Sequence, residues 1–166
     1  MLRRGTFSIF VAALVLVATV QEESRAEVST QEPRDASSWV VVVPFSSPVR
    51  SLRRSELDRI YRRTTRFWSA AAGTKRGLPA LPILPINLPP GSAMREDFAR
   101  RILRADDESL TTYWNREYFR GVLPPMVLQS PAAVRAYIAV TPGAIGYLPR
   151  EFVNPSVAVV QIEEGS

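Results

Sequence analysis

The chain has 166 residues, 21 Lys and Arg against 16 Asp and Glu, 46% hydrophobic residues, and neither cysteine nor histidine. That length suits one compact domain, and the composition is globular rather than disordered. Without Cys or His, disulfide staples, thiol chemistry and the usual zinc sites are excluded, while the mild positive balance fits an anionic ligand or surface without demanding one.

The N-terminus reads MLRRGTFSIFVAALVLVATVQEESRAEV, with Arg3 and Arg4 ahead of a mostly apolar run of fourteen residues from Phe7 to Val20. Ser24 and Ala26 stand at the −3 and −1 positions of a cleavage site. A spanning helix needs roughly 20 apolar residues, so residues 1–26 read as a signal peptide; an uncleaved anchor is the alternative. The mature chain is then expected to be periplasmic or secreted, not an integral membrane protein after cleavage, and with no cysteine for lipid attachment. It keeps 18 basic and 14 acidic side chains, interspersed rather than blocked. Residues 27–37, EVSTQEPRDAS, read as a flexible tether ahead of one domain over residues 38–163.

At Trp39 the run WVVVV, ended by Pro44, predicts a strand buried on both faces. The loop FSSPV follows. SLRRSELDRIYRR then predicts a helix from Ser51, with Leu52, Leu57, Ile60 and Tyr61 at helical spacing and Asp58–Arg62 as an i,i+4 pair. Residues 64–82 read as an irregular loop carrying Lys75 and Arg76. PILPINL reads as a short strand that Pro85 pushes toward a sheet edge or a bulge.

After Pro-Pro-Gly, Ser92 opens a helix whose stripe is Met94, Phe98, Ile102 and Leu103, with Glu96–Arg100 and Asp97–Arg101 pairs on the wet side. A third helix spans Asp106 to about Phe119. In it Leu110, Trp114 and Tyr118 form a stripe that favours core packing over a stacking surface. MVLQ is a short strand. Ser130-Pro131 is an N-cap and N1 pair opening a helix to Thr141, and AIGYL and VAVVQI are the last strands. The alternation predicts an α/β domain, a central mixed sheet flanked by helices.

Two places could hold an anion. At the Ser92 helix start, Ser92, Ala93, Met94 and Arg95 combine free N–H groups, a hydroxyl and a guanidinium. Ser46 and Ser47 follow the first strand, where open α/β sheets bind ligands. Each also reads as ordinary capping or turn chemistry, and the two are worth more if they flank one cleft. The arginines at 53, 54, 59, 62, 63 and 66 form a basic helix and loop. No nucleophile elbow, Walker loop or partnered acid pair is present, so an enzyme is not expected.

The order SSPVRSLRRSELDRIYRRTTRFW, LPINLPPGSAMREDF, YWNREYFRG, TPGAIGY resembles the substrate-binding proteins of phosphate-type ABC transporters, and more closely their small single-lobe relatives. The resemblance spans roughly Trp39 to Leu148. It implies a type-2 periplasmic-binding-like fold, a single-lobe version here, and no cofactor. In phosphate binders a Ser-Gly-Thr at a helix start contacts the anion. Counting back from Phe98 sets that triplet on Ser92-Ala93-Met94, with only the serine retained. The resemblance therefore implies an exported solute-binding-like protein for a small anion such as phosphate, with an envelope protein or transporter as partner and no nucleic acid. The alternative is an envelope interaction module that kept the fold and lost the ligand.

Overall fold

The structure, a computed structural model, describes residues 39–68 and 80–164. The signal-peptide and tether expectations, and Lys75 and Arg76, fall outside them.

Strand β1 (Trp39–Pro44) is the predicted valine run, with Val41, Val42 and Val43 sealed from solvent. Then come β2 (Ser51–Arg53), α1 (Arg54–Tyr61), β3 (Leu84–Asn87) and α2 (Ala93–Phe98), which runs on into a π-helical turn (Ala99–Leu103). After these follow α3 (Asp107–Tyr118), β4 (Met126–Val127), α4 (Pro131–Val140), β5 (Ala144–Pro149), a 3₁₀ turn (Arg150–Phe152) and β6 (Val157–Glu163). The six strands form one mixed sheet in the order β2-β6-β1-β5-β3-β4. β1 is antiparallel to both neighbours, with Val41 opposite Tyr147 of β5 and Val160 of β6. β3 is parallel to β4 and β5.

Side chains alternate across β5, and this alternation builds the two layers of helix. A Cβ on Gly146 would meet Ile138 and Val134 of α4 at 2.7 and 3.0 Å, so α4 lies on that face. The next residue, Tyr147, points the other way and stacks on Phe98 of α2 at 4.1 Å between centroids. Tyr61 of α1 closes on the same ring at 4.6 Å, and its hydroxyl donates to the Ile86 carbonyl at 3.0 Å. The α/β expectation is met, with helices on both faces of a mixed sheet.

Several local expectations need correction. Ser51–Arg53 is a strand, parallel to β6, rather than the first turn of α1. The Glu56 carboxylate accepts the Arg53 N–H at 2.9 Å and starts the helix one residue later. β3 is interior by strand order, not an edge. Pro85 fits because β5 pairs with Leu84 and Pro85 while β4 pairs with Ile86 and Asn87. The Glu96–Arg100 pair does not form; Arg100 reaches Asp97 at 3.2 Å, where Arg101 also sits at 3.0 Å. Asp97 is buried, not on the wet side. On α3, Leu110 is buried and Trp114 packs on the core, but Tyr118 is 64% exposed, so the predicted core stripe stops a turn early.

Candidate functional site

The carboxyl ends of β3, β4 and β5 lie at one edge of the sheet, because the three strands run parallel. That edge is where open α/β sheets place ligands. α2 begins there, six residues after Asn87 closes β3. Gly91, at φ 78°, makes the left-handed turn that Pro89 and Pro90 cannot, and Ser92 takes the N-cap. The Ser92 side chain accepts the Arg95 N–H at 3.4 Å, and its carbonyl accepts from Glu96 at 3.0 Å. The N–H groups of Ala93 and Met94 donate to no described residue. Ala93 is exposed, and Met94 turns its side chain onto the core, so the first turn offers backbone donors rather than a thioether.

Arg95 bends back over this turn. One Nη donates to the Leu88 carbonyl at 2.9 Å. Its Nε is sealed from solvent with no acceptor, the one such side-chain atom among the described residues. A buried donor without a partner costs roughly 1–3 kcal/mol, more on a charged group. Arg95 also lies close enough for its charge to act on the Tyr147 hydroxyl, which burial nevertheless pushes far above the ordinary tyrosine range. That hydroxyl donates to Asn87 Oδ1 at 2.5 Å, and the same oxygen accepts the Leu88 N–H at 3.1 Å. The two donors fix the Asn87 amide with its oxygen inward and its nitrogen unengaged by any described residue.

Under the turn, Asp97 holds α2 to the sheet. Its carboxylate accepts Trp39 Nε1 at 2.8 Å and takes the Arg100 and Arg101 side chains on its outer side. Trp39 also meets Phe98 edge-on at 5.1 Å. Sequence reading missed Asn87, Tyr147 and Asp97 as parts of this edge. Asn87 at a strand end, one residue ahead of the Pro-Pro-Gly breaker, was the one local signal for it.

Ser92, Ala93, Met94 and Arg95 are thus brought together, while Ser46 and Ser47 are not. β1 is antiparallel to β5, with Trp39 opposite Pro149, so the carboxyl end of β1 points to the other edge of the sheet. There Ser47 is occupied as a turn residue: its N–H donates to the Pro44 carbonyl at 2.9 Å, and its Oγ accepts from Val49 at 3.3 Å. Arg50 donates to the Ser47, Val49 and Phe45 carbonyls and pins the loop. The two loops lie at opposite ends of the strands and do not flank one cleft. Among the described residues no group of His, Cys, Asp or Glu could hold a metal ion.

No protein-family model matches the chain, and no curated protein matches it in sequence. Solved structures do match in fold. One is a protein from Clostridium perfringens assigned as a phosphate ABC transporter substrate-binding protein, with phosphate bound: TM-score 0.58, 21% identity, covering 75% of this chain and 44% of that one. An ABC-type phosphate transport receptor from Vibrio cholerae has TM-score 0.58 and 21% identity, over 78% of this chain and 47% of its own. PstS from Borrelia burgdorferi has TM-score 0.57 and 14% identity, over 78% and 48%. The chain spans less than half the length of these proteins. At such identities the match establishes the fold. It is the periplasmic-binding-like fold that the sequence resemblance implied, and both likenesses lead to phosphate-type substrate-binding proteins. No helix among the described residues is long and apolar enough to cross a membrane.

Proposed function

We propose that the chain is an exported, non-enzymatic, solute-binding-like protein that holds a small oxyanion, phosphate by its resemblances, at the first turn of α2. The observation that carries the reading is Arg95. Its guanidinium is anchored to Leu88 across a turn whose Ala93 and Met94 N–H groups are open, and its Nε has no acceptor. Binding would be reversible, by backbone donors, the Ser92 hydroxyl and a charge-assisted contact from Arg95. Ser46 and Ser47 have no part in it. Export rests on the N-terminal apolar run and would put the protein in the periplasm or outside the cell.

A thermal-shift panel with phosphate and sulfate tests the reading. Ligand at 100 times its Kd stabilises by about 2.7 kcal/mol, and Arg95→Gln removes the shift.

A second reading is favoured by one observation. Tyr118, Phe119, Leu123, Met126 and Val127 are all exposed, Phe119 by 89%, along the end of α3 and the edge strand β4. An apolar strip beside an open strand edge suits a protein partner. If no anion shifts the melt, an envelope interaction module is the function that remains.

A further inference from the structure

The positive charge of the chain is not spread evenly. Residues 53–66 hold six arginines against Glu56 and Asp58, and residues 95–104 hold four against Glu96 and Asp97. The remaining residues together carry a slight net negative charge. These two segments meet in space: Arg62 of the turn after α1 donates an Nη to the Leu103 carbonyl at the end of the π turn, at 2.7 Å. Between them lies a concavity of about 280 Å³, lined by Arg54, Ser55, Asp58, Arg62, Leu103 and Arg104 among others.

Its three arginines are differently placed. Arg62 is fixed by Asp58 at 2.9 Å and by Leu103, which leaves one Nη free of described partners. Arg54 has only a loose partner, Glu164 at 3.6 Å, whose side chain is 81% exposed. Arg104 is exposed and pairs with no described acid. It also sits at φ 48°, ψ 42°, the left-handed position after a helix where glycine is usual. An arginine there keeps its charge at the cost of backbone strain. Arg63, the other left-handed arginine, is accounted for by its bond to the Ile83 carbonyl at 2.8 Å. Arg104 has no such account.

The partner follows from what this face lacks. None of the exposed large hydrophobic residues lies on α1 or the π turn. A protein interface would present an apolar core, which is absent here; a single-stranded nucleic acid would need open aromatic platforms, and the ring beside Arg62, Tyr113, is half-buried with the guanidinium over it at 5.0 Å. Guanidinium forks around a shallow concavity match the phosphate oxygens of a polyanionic surface. We infer that the α1–π-turn face docks the protein on an anionic lipid surface, with a headgroup phosphate seated between Arg54, Arg62 and Arg104. This face lies at the far end of the α2 helix from Ser92, roughly 15 Å away along the axis, and is independent of the anion reading there.

The test is vesicle co-sedimentation of the full chain, using phosphatidylcholine alone or mixed with phosphatidylglycerol. The readout is the gain in partition on adding the anionic lipid. Each basic side chain at such a surface contributes about fivefold, so Arg54→Gln with Arg104→Gly lowers the gain by about twenty-five- to thirtyfold. Glycine suits the left-handed position, so a folding defect does not explain the loss. The same charge change on α4 and the 3₁₀ turn, Arg135→Gln with Arg150→Gln, leaves the gain within a few-fold. Sodium chloride weakens it. An unchanged gain in the Arg54/Arg104 variant overturns the proposal, as does no gain at all. So does displacement by inorganic phosphate far beyond sodium chloride of matched ionic strength, which would make the concavity a small-anion site.

Discussion

Trp39 Nε1 donates to the Asp97 carboxylate at 2.8 Å, tying the first residue of β1 to a residue of α2 58 positions later. Asp97 is the only charged residue buried among those described, and Arg100 and Arg101 complete its shell. Asp97→Ala leaves the indole N–H without an acceptor and frees two arginines, at a cost of about 2–3 kcal/mol in chemical denaturation. Asp97→Asn keeps an acceptor for Trp39 and loses less. Equal losses would mean that the carboxylate charge, not the indole bond, holds α2 down.

Gly143 and Gly146 face different obstacles. A Cβ at Gly143, where φ is 83°, would stand 2.2 Å from the Pro82 carbonyl oxygen. A Cβ at Gly146 crowds the side-chain ends of Ile138 and Val134 on α4 and meets Ile86 of β3 at an ordinary 3.5 Å, with no backbone in the way. Gly146→Ala therefore costs about 1–3 kcal/mol by overpacking. Gly143→Ala costs more, because backbone must move. A thermal melt that ranks them the other way contradicts this.

Arg104→Gly relieves a left-handed position and loses no side-chain hydrogen bond or ion pair to the described residues, so it raises stability by up to about 1 kcal/mol. Arg63→Gly relieves the same kind of strain but gives up the bond to Ile83, and brings no gain. Urea midpoints of the two variants separate the cases.

Tyr61 and Tyr147 titrate above the ordinary tyrosine value of 10.0, chiefly through burial. A phenol raised in the folded state stabilises it while protonated. That contribution is whole below the unfolded value and is lost as pH climbs through the folded one. Stability measured by urea unfolding should therefore fall steeply above pH 10, and Tyr147→Phe should flatten the fall. An unchanged slope in Tyr147→Phe assigns the alkaline loss elsewhere.

What the sequence made legible is what local chemistry decides. The valine run set β1, and Ser130-Pro131 set the start of α4, where Ser130 accepts the Ala133 N–H at 3.2 Å. The Pro-Pro-Gly-Ser breaker located the start of α2. What stayed hidden depends on partners far along the chain. β2 is three residues whose strand character comes from β6, over a hundred positions later. Asp97 reads as a surface acid until Trp39 is placed against it. Whether Ser46 and Ser47 share a cleft with Ser92 stayed open because strand direction has no local signature; the antiparallel pairing of β1 with β5 puts them at the other edge. The π turn, which redirects Arg100 from Glu96 to Asp97, has no marker in its residues either.

The central claim is that the first turn of α2 grips a small oxyanion through Arg95. The most direct measurement is isothermal titration of the full chain with phosphate, beside Arg95→Gln and a Ser46→Ala, Ser47→Ala double variant. The account predicts saturable binding to the unmodified protein, loss of more than tenfold in affinity with Arg95→Gln, and no change with the serine pair. Saturable binding that survives Arg95→Gln, or no heat from any oxyanion at millimolar concentration, would contradict it.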